Sequence, residues 1–289
     1  MQQISAELEK RLGSAVEKMP PFPKSVQRVL ELTRDINCRP KDLVEVIEKD
    51  PIITIKVLKI INSAYYGLTN KITSINQTVI YLGANTLKNL ALSFSTVGIL
   101  PNKNEAGFDI HHYLVSSLVT AGIVRLLGTL YAPGETDPTD CYVAGLLHDF
   151  GKVVFAICMP EEFSQALALS ANEHIPLHKA EKAIIGADHT VVGAMLVKRW
   201  QFPEPLVECI AGHHDRTQTS AMGECLHAAD LIAERLSYDS NGRVSTERSA
   251  VVLAKRFGGD IDDVMVRLGD LSKIIDEAQM FSRSEGSVK

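Results

Sequence analysis

The sequence predicts an all-α protein of two lobes, a small N-terminal helical bundle packed on a larger C-terminal one. Three observations carry this expectation. Apolar residues recur at steps of three and four along most of the 289 residues, the spacing of one helix face. No window sustains the period-two alternation of a half-buried strand. A polar stretch, Pro101 to Gly107, interrupts the helical pattern and places an N-terminal lobe at 1–105, a second lobe at 106–281 and a flexible tail at 282–289. Two cores suit the length, at roughly 100–200 residues per domain.

The elements follow in order. Ile4, Leu8, Leu12, Val16 and Met19 mark an amphipathic helix, which Met19-Pro20-Pro21-Phe22-Pro23 breaks. Val26, Val29, Leu30 and Leu32 place a second helix, and Leu43, Val46 and Ile47 a third that starts after Pro40. Asp50-Pro51 is a helix start, with Asp as the cap and Pro in the first turn. The helix it opens, through Ile61, is apolar on most sides and is expected to be central. Ser74 caps a short helix that ends near Gly83, and another spans about 85–100. The second lobe reads as helices at about 110–131, 140–158, 160–173, 178–185, 189–201, 204–213, 222–237, 245–257 and 261–281.

Composition narrows the function classes. Apolar residues make up 45% and charged residues 22%, as in a globular protein. The net charge of -5 argues against a binder that relies on phosphate contacts, so nucleic acid is not the expected partner. Lys24, Arg28, Lys56, Lys59 and Lys71 are scattered and read as a solvated face. The cysteines, Cys38, Cys141, Cys158, Cys209 and Cys225, are odd in number and contain no C-x-x-C pair, which suits free thiols in the cytoplasm. The N-terminus carries acids and no apolar core, so no signal peptide is expected. Apolar runs broken by Lys, Asp and Asn read as too short to cross a bilayer. No phosphate-cradling glycine loop occurs.

The chemistry centres on Ala144-Gly145-Leu146-Leu147-His148-Asp149-Phe150-Gly151-Lys152. This reading puts an ionised carboxylate inside an apolar helix, where it is costly unless it is paired or bound to a metal. An Asp149–Lys152 ion pair beside a core histidine is the plain reading of an isolated His-Asp. The pair is not isolated. His189 opens a helix, His213 and His214 end another, and Asp230 lies between Leu226 and Ala233 on the apolar side of a third. Imidazoles and carboxylates on separate helices are ligand chemistry for a divalent metal, whether Fe, Ni, Zn, Mn or Mg.

These residues resemble the HD-domain metal-dependent phosphohydrolases, which hold a metal with His … His-Asp … Asp. Bimetallic members add histidines before the last Asp. The resemblance makes His148-Asp149 the central pair, His189 and His213 the added histidines, Asp230 the last ligand and His214 a secondary candidate. Over about residues 15–237 the chain is similar to the HDOD family, the HD-related output domain. The resembling segments are Met19 to Pro23, Asp50-Pro51, Ile61-Asn62-Ser63-Ala64-Tyr65-Tyr66-Gly67, and Ile72-Thr73-Ser74-Ile75 with Leu82-Gly83.

One departure bears on function. In Val115-Ser116-Ser117-Leu118-Val119-Thr120-Ala121, Ser116 fills the slot where the family pattern has its first metal histidine. His112 lies one turn earlier, and His111-His112 reads as a polar helix start. The Gly-Tyr-Pro signature of cyclic-dinucleotide phosphodiesterases is absent; Asp215-Arg216-Thr217-Gln218 follows the His-His element. The resemblance then implies a bacterial signal-transduction output or interaction module on a degenerate HD site, without turnover. Its signal would come from a protein partner in trans or from a directly bound ligand. The alternative is a metal-dependent phosphohydrolase acting on a nucleotide or other phosphoester, with Lys152 steadying the phosphate.

Overall fold

Every regular element among the described residues is helical. The structure is a computed structural model that describes residues 4–34, 38–101, 103–215, 219–236, 238 and 253–286. The chain divides into two units, Met1–Pro20 with Leu100–Ile275, and Pro21–Ile99 with Asp276–Lys289. The opening helix therefore groups with the later helices, not with the N-terminal lobe that sequence assigns it to.

The smaller unit contains α2 (Lys24–Arg34), α3 (Pro40–Glu48), α4 (Pro51–Ile61), α5 (Ile75–Leu82) and α6 (Ala84–Ile99). Its helix starts are local chemistry. Asp50 accepts from the amides of Ile52 and Ile53, and Ser74 accepts from that of Gln77. Asn62 closes α4 by donating to the carbonyls of Leu58 and Ile72 at 2.7 Å each, while its own carbonyl accepts from the Ile72 amide. That clamp folds back the Ala64–Tyr66 turn, and Gly67 leaves it with φ +56°, a backbone that glycine adopts without strain. α4 is less central than its composition suggests: Val57, Ile60 and Ile61 are buried, but Ile52 and Ile55 are about two-thirds exposed at 67% and 66%.

In the larger unit, α1 (Ala6–Lys18) is held at its end by α12 (His189–Arg199). The Arg199 guanidinium donates to the carbonyls of Val16, Glu17 and Met19, and the Trp200 indole donates to that of Pro20. A cation there satisfies the orphan carbonyls and opposes the negative helix end. The centre of the unit is α7 (Ile110–Tyr131), buried on all sides along most of its length and packed against α8 (Pro138–Leu147) and α14 (Ala221–Arg235). Close packing uses glycine: a Cβ on Gly145 would lie 2.6 Å from the Ala121 Cα.

The remaining helices of this unit are α9 (Phe150–Cys158), α10 (Pro160–Glu173), α11 (Leu177–Ile184), α13 (Glu204–Ala211) and α15 (Ile261–Leu268), while α16 (Ser272–Gly286) groups with the smaller unit from Asp276 on, not with the second lobe that sequence assigns it to. Several expectations change. The helix expected at 140–158 is interrupted at His148–Asp149, giving α8 and α9. The one expected at 261–281 breaks near Gly269, whose φ of +71° ends α15. The last helix runs to Gly286, into the stretch read as a tail, and residues 287–289 lie outside the described residues. Of the helix expected at 245–257, a short turn at Lys255–Phe257 is present and 245–252 lie outside the described residues. The stretches Ile110–Tyr131 and Pro138–Cys158 are long and apolar enough to cross a membrane, contrary to expectation. Both are mostly buried inside the protein.

Helices α9 and α12 cross backbone to backbone at Gly151. A Cβ there would lie 2.0 Å from the His189 carbonyl oxygen, which cannot give way as a side chain can. Gly151→Ala should therefore destabilise the protein by about 1–3 kcal/mol, the usual cost of overpacking. Urea unfolding of the two forms checks this, and equal midpoints would contradict the close crossing.

Candidate metal centre

Four segments deliver the polar residues. His148 ends α8, and Asp149 sits in the break before α9. His189 is the first residue of α12; His213 and His214 lie in the turn after α13, and Asp230 is on α14. One donor atom each from Asp149, His189, His213 and His214 lie within 4.8 Å of one another. Asp149 Oδ1 is 3.0 Å from His189 Nε2 and 3.6 Å from His213 Nε2, and His189 Nε2 is 2.9 Å from His214 Nε2. His148 Nε2 lies 3.4 Å from Asp149 Oδ2 and 3.5 Å from Asp230 Oδ1.

All six candidate ligands thus form a connected set around Asp149, and His214, ranked second by sequence, is in the tightest group. Asp230 is not as enclosed as its helix face suggests, since its side chain is 33% exposed.

The imidazoles are aimed by their outer nitrogens. His148 Nδ1 is 2.8 Å from the Gly145 carbonyl and His213 Nδ1 is 2.8 Å from that of Ile210. A carbonyl only accepts, so Nδ1 carries the proton and Nε2 faces the centre. The Nε2 atoms of His148 and His213 are buried and make no hydrogen bond. His189 Nδ1 lies 2.6 Å from Glu181 Oε2, which also accepts from the His189 amide at 2.9 Å. This is the outer carboxylate that metal-binding histidines commonly have. The donor set therefore fits a metal in kind and in direction.

Two of these partners were missed by sequence reasoning. Glu181 is fully buried on α11, and His178, on the same helix, stacks on His214 with ring centroids 4.2 Å apart. Leu177, Ala180 and Glu181 share one helix face, so an acid on an apolar stripe was the available signal.

Electrostatics in the cluster are cooperative. Burial opposes the charge on Asp149, yet His148, Lys152 and His189 hold its carboxyl well below the ordinary carboxylate range. Lys152 Nζ is 2.7 Å from Asp149 Oδ2, and both side chains are buried. Burial also opposes a charged His189, but the carboxylates of Glu181 and Asp149 prevail and push it up to about 9. Burial and neighbouring imidazoles push His214 well below its usual value, and His178 down to about 4.

Ser116, on α7, is buried and donates to the Tyr238 carbonyl at 2.5 Å. His112 does not belong to the metal-spaced group; its amide is capped by Asp109 at the start of α7. Residues 216–218, where the Gly-Tyr-Pro signature was sought, lie outside the described residues.

The HDOD domain profile matches residues 19–216, more than half of the chain. The chain belongs to the HDOD family. An HDOD domain protein of unknown function from Geobacter sulfurreducens is 25% identical, with TM-score 0.72, covering 96% of this chain and 98% of that one. A Marinobacter aquaeolei protein, provisionally named for signal transduction, shares the HDOD fold at TM-score 0.78 and 21% identity, covering 98% of this chain and 66% of its own. An uncharacterized Treponema pallidum protein is 28% identical over 217 residues, 74% of this HDOD chain. The chain spans 41% of the length of that curated relative.

The Glu181 carboxylate accounts for the raised His189, so Glu181→Gln should lower it. Histidine NMR of the metal-stripped protein should place His189 at about 9 in the native chain and clearly below that in the variant. An unchanged value would mean that Glu181 does not govern this imidazole.

Proposed function

We propose that this HDOD chain is an output or interaction module of bacterial signal transduction, acting in the cytoplasm through a protein partner and without catalytic turnover. One observation carries the absence of turnover: the Ser116 hydroxyl. It stands where the resemblance calls for a metal-binding imidazole, and its proton is committed to the Tyr238 carbonyl. A neutral hydroxyl is a poor ligand for the metals that imidazoles favour. The family supports the output role.

A second reading, a metal-dependent phosphohydrolase acting on a nucleotide or other phosphoester, has its own support. Asp149, His189, His213 and His214 keep metal-ligand spacing, with His148 and Asp230 beside them. A divalent metal bound there would supply an activated water and polarise a phosphoryl oxygen. The chain's own residues would orient the imidazoles through Glu181 and the Gly145 and Ile210 carbonyls. Lys152, however, is buried against Asp149 in this structure, so a role on a phosphate would require it to leave that partner.

The test is turnover of cyclic dinucleotides and nucleoside phosphates with Mn or Fe supplied. The native chain should show none, and Ser116→His should gain metal affinity. Native turnover at ordinary enzyme rates, roughly 1 per second or more, would establish the phosphohydrolase instead.

A further inference from the structure

The two oxygens of Asp149 face different surroundings. Oδ1 looks toward three imidazoles, with His189 Nε2 at 3.0 Å, His213 Nε2 at 3.6 Å, and His214 in the same group. Oδ2 looks toward Lys152 Nζ at 2.7 Å and His148 Nε2 at 3.4 Å, with Asp230 beyond His148. We infer that the centre binds one divalent transition metal, in the Oδ1 half, and that the Lys152 ammonium is the resident cation of the Oδ2 half. This deepens the functional reading above and rests on its claim that Ser116 stands where a metal-binding imidazole is called for.

The donor spacing supports the first part. Ligands bound at about 2.0–2.1 Å stand about 3.0 Å apart along an octahedral edge and about 3.4 Å along a tetrahedral one. The separations of 2.9, 3.0 and 3.6 Å in the Oδ1 half bracket those edges. His189 and His213 are pre-aimed by Glu181 and the Ile210 carbonyl. Three imidazoles and one carboxylate oxygen suit Mn, Fe, Co, Ni or Zn; Ca and Mg prefer oxygen shells.

The second part follows from charge. A bridging carboxylate serves two cations, one on each oxygen. Here an ammonium already lies at hydrogen-bond distance from Oδ2, with both side chains 4% exposed. A dication entering beside it would meet uncompensated like charge in a place where water screens little. The Oδ2 half also has fewer candidate ligands, one imidazole and the Asp230 carboxylate against three imidazoles around Oδ1.

The full chain, stripped with chelator, is titrated with Mn2+ and the ion is counted by calorimetry and by elemental analysis after dialysis. One Mn per chain is expected, with the electron-resonance spectrum of an isolated ion. His189→Ala and His214→Ala should each weaken binding beyond the roughly 10–100-fold that loss of an outer partner causes. His148→Ala and Asp230→Asn should keep the full equivalent. Lys152→Met should admit a second ion; if that variant does not fold, the contrast between the two halves decides. Two ions in the native chain, or none, would overturn the inference, as would loss of the ion in His148→Ala with retention in His189→Ala. A native chain that turned over substrate with a single ion would sustain it while removing the non-hydrolytic reading.

Discussion

An ionised carboxylate in an apolar interior has to be surrounded by compensating charge, and Asp149 imposes that requirement on the larger unit. Its side chain is 4% exposed. Lys152 answers it from the next turn, while His148 and His189 answer it from either side. His148 leans on Asp230 and His189 on Glu181, so each added imidazole brings its own acid. The consequence is a polar core whose members are drawn from α8, α9, α11, α12, α14 and the turn after α13. Removing one member alone leaves a buried charge uncompensated, a larger cost than the mean value of any single contact.

What could be read from the sequence was mostly what is decided locally. Asp50-Pro51 and Ser74 are caps whose partners lie two or three residues away, and both helices start where those residues place them. Helix 110–131 was legible from end to end because helical periodicity carries through it without a Pro and ends before Pro133. His148-Asp149 stood out because charge in an apolar run is costly. Features set by distant contacts were not legible. Periodicity continues through 148–149, so nothing in it signals the break that gives α8 and α9. The grouping of α1 depends on Arg199 and Trp200, about 180 residues away. Glu181 was hidden among the charges of a short helix that reads as a solvated one, although its register with Leu177 and Ala180 turns it inward.

Ser116 has a role in the fold whatever its place in a ligand set. The serine is buried and bonded to the chain beyond α14, so the position has acquired a structural connection. Placing an imidazole there would sever that connection and, on the proposed reading, add a metal ligand. The two effects act on different observables, folding stability and metal affinity, and they need not rise or fall together. Membership of the HDOD family fixes the frame, and on the proposed reading this one position decides whether the frame can hold its metal in full.

The contact between Gly151 and the His189 carbonyl is made by main chain on both sides. The separation of the two strongest polar anchors is therefore inscribed in the backbone, independent of which side chains project from it. Exchange of imidazole for hydroxyl or amide around Asp149 would leave that crossing unchanged. The two helices would hold this separation under any set of side chains for as long as position 151 stays glycine.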